Sequence, residues 1–137
     1  MARSPRKAGE KPLHWVGSSK RDFLAFPAQV QSDMGYALGV AQLGGKPPNA
    51  KPWKGEGPNV FEVVENFDGG AYRAVYTVRF EGVVYVLHTF QKKSPSGIGA
   101  GMPDVELIRE RLKRAREDYE TRQRAPRGAG GGNERRG

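Results

Sequence analysis

Three apolar runs joined by two very short turns limit what this chain can fold into more than any other feature. Val60–Asn66 is β-branched and aromatic in part, Asp68-Gly69-Gly70 reads as a turn, and Ala71–Phe80 alternates with Tyr72, Ala74, Tyr76, Val78 and Phe80 on one face. Glu81-Gly82 is a second tight turn, and Val83–Phe90 is apolar on both faces, as a central strand is. Parallel neighbours need a crossover of about a dozen residues or more, so these runs must pair antiparallel as a meander. The other face of the middle run, Arg73, Val75, Thr77 and Arg79, is mixed, which predicts a sheet with one open side.

The flanks read as helical. Leu13–Val16 suits a short strand, and Ser18 or Ser19 then offers an N-cap, with Asp22 three residues past Ser19 as in a capping box. Phe23 and Phe26 give that helix an apolar side. Pro27 suits the first position of a second helix, along which Val30, Met34, Ala37 and Ala41 recur before Gly44-Gly45 ends it. Lys46–Pro58 carries four prolines and reads as an irregular loop holding Trp53-Lys54. After the glycine-rich stretch Ser94–Met102, Pro103 and Asp104 open a helix with Val105, Ile108, Leu112, Ala115 and Tyr119 at steps of three and four. Its charged residues, Arg111 among them, read as a solvated surface.

Composition narrows the chemistry. The chain of 137 residues has no cysteine, which excludes disulfides, thiolate metal sites and a thiol nucleophile, and its two histidines, His14 and His88, offer little to a metal. No metal or cofactor is expected. No Walker loop, HExxH, GxSxG or EF-hand pattern occurs, and no apolar run is long enough to cross a bilayer, so a soluble, cytoplasmic protein without membrane association is expected. A net charge of +8 points to a polyanionic partner, nucleic acid first. The basic stretch 1–11 and the Gly/Arg-rich stretch 123–137 have little to bury, which leaves one domain over 12–122 between two disordered tails.

The run His88-Thr89-Phe90-Gln91-Lys92-Lys93 ends the last strand and opens into the glycine-rich loop, with Arg73 and Lys54 as candidates to converge on it. Cutting RNA without a metal needs a base for the 2′-OH, cations for the phosphorane and an acid for the 5′-oxygen, roles that Arg, Lys and His can fill. Trp53, Lys54, Arg79 and Gln91 are candidate RNA-binding residues. Plainer roles stand beside these. His88 could be a packing residue, Lys92 and Lys93 could guard a strand end, and Trp53 could cap the core or stack on a base. Arg73 and Arg79 could pair across strands with Glu62 or Glu65.

His14-Trp15-Val16-Gly17-Ser18-Ser19, Tyr72-Arg73-Ala74-Val75-Tyr76, the run Tyr85 to Lys93, and the closing segment Asp104 to Arg109 leading to Arg116 and Tyr119 together resemble the phage-derived branch of the HigB/RelE toxin superfamily. The resemblance implies a RelE-like α+β fold, a curved antiparallel sheet with N-terminal helices packed on one face and a C-terminal helix. It implies a type II toxin that cleaves mRNA on the ribosome as a metal-independent endoribonuclease, held in check by an antitoxin of the helix-turn-helix DNA-binding kind. Arg73 then matches the strand arginine that contacts the scissile phosphate, Lys92 and Lys93 fall in the Phe-x-Lys-Lys segment, and Lys54 is a looser match. His88 takes no settled role from the family. The tails and the Gly97–Gly101 expansion depart from its pattern. A non-catalytic RNA- or ribosome-binding protein and a phage-derived interaction protein remain as alternatives.

Overall fold

The computed structural model describes residues 9–92 and 101–124. Eight elements follow in order: β1 (Leu13–Trp15), α1 (Ser19–Leu24), α2 (Ala28–Gln42), β2 (Ala50–Pro52), β3 (Val60–Phe67), β4 (Gly70–Thr77), β5 (Val84–Lys92) and α3 (Met102–Arg124). The sheet order is β1-β5-β4-β3-β2. Its centre is the expected meander. Asp68 and Gly69 both have positive φ, 50° and 82°, the two-residue corner that matches strand twist and brings Phe67 opposite Gly70.

Three expectations about the strands need correcting. The sheet is mixed, because β1 runs parallel to β5 with Leu13 opposite Val84 and Trp15 opposite Val86. The proline-rich loop contains a strand, since β2 pairs antiparallel with Phe61–Val63. Three residues at a sheet edge tolerate Pro52, whose missing N–H is harmless where no further strand follows. The alternation proposed through Phe80 ends early: the Thr77 hydroxyl donates to the Asn59 carbonyl at 2.7 Å and accepts from the Arg79 amide at 3.1 Å, so the chain turns and Phe80 reaches the opposite face.

Helices cover both faces. Phe23 of α1 and Val30, Met34, Ala37, Leu38 and Ala41 of α2 pack on Val63, Ala74, Tyr76, Val84 and Val86. On the other side Ile108, Leu112 and Ala115 of α3 pack on Val60, Val75, Tyr85 and Leu87. The side predicted open is therefore roofed by α3, because Val75 and Leu87 supply an apolar floor there that outweighs the charges around it. Tyr76 is fully buried beneath α2, and burial pushes its phenol up to about 12.

The capping box does not form. Ser18 is the N-cap and its hydroxyl donates to Asp22 at 2.9 Å, while Ser19 is buried with its hydroxyl donating to the Val86 carbonyl at 3.2 Å. Lys11, read as tail, is tied to the end of α2: its amide donates to the Gln42 carbonyl and its carbonyl accepts from the Gln42 side chain, each at 2.8 Å. The predicted tails before Gly9 and after Arg124, Lys93, and most of the glycine-rich stretch lie outside the described residues.

Candidate active site

One irregularity in the sheet assembles the site. Tyr76 is opposite Val86, but Val75 is opposite His88, so Leu87 is an extra residue in β5. A bulge of this kind turns two successive side chains toward one side. Leu87 joins the core under α3, and His88 follows it onto that side together with Phe90. Thr89 faces the opposite way, its hydroxyl donating to the Ser19 carbonyl at 2.8 Å.

His88 is 6% exposed and held from two directions by α3. Its Nε2 lies 2.8 Å from an Asp104 carboxylate oxygen, and its Nδ1 lies 3.5 Å from Nη1 of Arg111. A guanidinium has no lone pair to offer, so Nδ1 is the acceptor and Nε2–H donates to Asp104. The Phe90 ring stacks on the imidazole at 4.7 Å between centroids. The Asp104 side chain is 34% exposed and connects this otherwise buried pair with solvent.

Arg111 is the residue that sequence reasoning missed. It is 6% exposed, not solvated: Nη1 donates to the Leu87 carbonyl at 3.0 Å and Nη2 to the Ser18 hydroxyl at 2.9 Å. Burial lowers its pKa, with Asp22 acting in the opposite direction. Gly17 makes room for it, at φ 58° and so close that a Cβ there would lie 2.8 Å from Nε. The spacing did carry a signal, since 111 falls three residues after Ile108 and four before Ala115, on the buried stripe of α3.

Arg73 is opposite Phe90, two residue pairs along from His88 and on the same face, and it forms a buried ion pair with Glu62 through Nη1. The pairing with Glu62 is one of those that strand parity suggests. Side-chain exposure is only 11% and 6%, and Arg73 Nε–H is buried with no partner among the described residues. Lys92 ends β5 opposite Ala71, on the same face as Arg73 and Phe90. Lys51, not anticipated from sequence, is opposite Glu62 at the far edge of the same row.

The remaining candidates lie elsewhere. Trp53 bonds through its amide to the Val60 carbonyl and packs against the α3-side core, with its indole N–H buried. Val60 is four residues along β3 from the partner of Arg73, so Lys54, next to Trp53, begins about 13 Å away along the sheet. Arg79 closes the loop after β2: its guanidinium donates to the Pro58 carbonyl at 2.9 Å and to that of Glu56. The Glu56 carboxylate in turn pairs with Arg109 at 3.0 Å. Arg79→Ala is expected to cost about 1–2 kcal/mol and to speed amide exchange over residues 53–59. Hydrogen exchange and thermal melts check this, and an unchanged loop would remove the structural role. Gln91 is exposed on the α1 side of β5.

The family model described as "Phage derived protein Gp49-like (DUF891)" matches residues 21–113. A search of curated proteins found no match. Among solved structures, the chain is similar to the toxin–antitoxin complex RelBE2 of Mycobacterium tuberculosis, at 17% identity and a TM-score of 0.44, over 61% of this chain and 99% of that one. It is also similar to a mutant of the E. coli toxin RelE in the free state, at 19% identity and a TM-score of 0.49, over 77% of this chain and 97% of that one.

Proposed function

The chain belongs to the phage-derived Gp49-like family, a RelE/HigB-type toxin family, and from this premise we propose that it is the toxin of a type II toxin–antitoxin pair that cleaves mRNA. The observation that carries this reading is the neighbourhood of Arg73 and His88. A guanidinium and a histidine–carboxylate pair stand on the same side of adjacent strands, and Phe90, the strand partner of Arg73, stacks on the histidine.

Metal-free cleavage of RNA removes the 2′-OH proton, forms the bond from that oxygen to phosphorus and breaks the bond to the 5′-oxygen, which takes up a proton. The products are a 2′,3′-cyclic phosphate and a 5′-hydroxyl. Arg73 carries the growing phosphorane charge, for which a forked donor suits two phosphate oxygens. It must share or release Glu62 to do so. His88 and Asp104 move the proton, Arg111 fixing which imidazole nitrogen faces the carboxylate. Lys92, beyond Phe90 on the same face, attracts the phosphate backbone. The partners in this reading are mRNA, the ribosome and a helix-turn-helix antitoxin, with action in the cytoplasm.

The test is inducible expression of the wild type and of Lys92→Ala at matched soluble levels, recording growth and mapped mRNA 5′ ends. New ends with growth arrest in the wild type, reduced about tenfold or more in the variant, are expected. Well-folded wild type that creates no new ends in translating cells would overturn the reading in favour of a binding protein.

A further inference from the structure

The edge of β5 offers a second site. β1 accompanies β5 only from Val84 to Val86, so from His88 onward, among the described residues, no strand lies on that side. Across the gap stand α1 and the corner before α2, and the resulting groove is lined by Asp22, Phe26, Tyr72, His88, Phe90 and Gln91. Because it runs along a strand edge, side chains from both faces of the sheet reach it: Phe90 from the α3 side, Tyr72 and Gln91 from the α1 side.

Its lining is aromatic with a few polar groups. Phe26 and Tyr72 meet edge to face at 5.0 Å, and His88 and Phe90 are stacked at 4.7 Å. Gln91 is exposed, and among the described residues nothing takes up the acceptor and two donors of its carboxamide. The Asp22 carboxylate is 35% exposed, and beside the oxygen that accepts from Ser18 it presents Oδ1, 3.6 Å from Nε of the exposed Arg21, as an acceptor. Flat apolar faces beside a carboxamide and a carboxylate fit a planar heterocycle bearing an exocyclic amine.

We propose that this groove binds a single nucleobase of the RNA, and that it favours a base carrying an exocyclic amine over uracil. The inference rests on the RNA reading above and extends it from phosphate chemistry to base choice. The base stacks on the aromatic lining, Gln91 pairs with its edge, and Asp22 accepts from the amine. With His88 and Phe90 shared between groove and catalytic face, the bound base belongs to a nucleotide next to the scissile phosphate.

The test needs no turnover. Short 2′-O-methyl oligonucleotides of equal charge, with adenine, uracil or an abasic residue at one central position, are titrated against the purified full chain and against Gln91→Ala. The expected result is adenine binding roughly 5- to 50-fold tighter than abasic, with uracil between them. In Gln91→Ala the adenine and uracil affinities converge while the abasic affinity is unchanged, and thermal melts coincide because Gln91 is exposed. Equal binding of all three oligonucleotides to the wild type would overturn base reading and leave RNA binding standing. An adenine preference that survives in Gln91→Ala would overturn the assignment to this groove. No binding by any oligonucleotide would overturn the RNA reading, and the groove with it.

Discussion

Arg73→Ala is expected to abolish mRNA cleavage and also to weaken the fold, and the two effects can be separated. Removing the guanidinium takes away the cation proposed for the phosphorane, a loss of about 10²–10³-fold in rate. It also strands Glu62, whose side chain is 6% exposed, as a buried carboxylate with its partner gone. Breaking a buried pair from one side costs about 3–5 kcal/mol, whereas replacing both members by apolar groups of similar volume is close to neutral. Arg73→Met combined with Glu62→Leu should therefore melt near the wild-type temperature and still cut no RNA. Chemical denaturation together with mapped mRNA ends in expressing cells decides the matter. A stable double variant that still cleaves would leave Arg73 with a structural role alone.

Arg111→Ala is the second large effect. The guanidinium ties α3 to two segments far apart in sequence, the Ser18 corner before α1 and the bulge of β5, where it meets the Leu87 carbonyl and His88. Its loss takes the side-chain donor from the Leu87 carbonyl, leaves the Ser18 hydroxyl with Asp22 alone, and opens a void beside Gly17. Together these cost on the order of 3 kcal/mol, or about 10 °C in melting temperature for a domain of this size. Gly17→Ala approaches the same contact from the other side. A Cβ 2.8 Å from Arg111 Nε, at φ 58°, must displace the guanidinium, so this variant should lose stability in the same direction while retaining every polar group. If both variants melt with the wild type, the buried arginine is not the clamp described here.

The sequence disclosed the meander because turn length is local: Asp68-Gly69 leaves the chain no alternative to an immediate return. The helices were legible for the same reason, through stripes such as Val30, Met34, Ala37 and Ala41. What stayed hidden depends on partners distant in sequence. β2 has three residues and exists only because β3 is beside it, and the parallel pairing of β1 is set 71 positions away, from Leu13 to Val84. In the candidate site, Arg73 with Glu62 followed from strand parity, and His88 was visible by type. Asp104 and Arg111 were not recognised as its neighbours, since nothing local says that α3 folds back over β5. Arg111 was also masked by its chemistry, a cation on a stripe where only apolar residues were sought.

The extra residue in β5 makes the site depend on counting. His88 and Phe90 face α3, and Thr89 and Gln91 the other way, only because Leu87 shifts the alternation by one. Gain of a single codon between Leu87 and His88, with one bulged residue kept, would exchange these two sets and send the histidine beneath α1 while every proposed site residue remained in the gene. If the product is the toxin proposed above, that is a short mutational route to a silent copy, and one that a survey of residue identities would pass over.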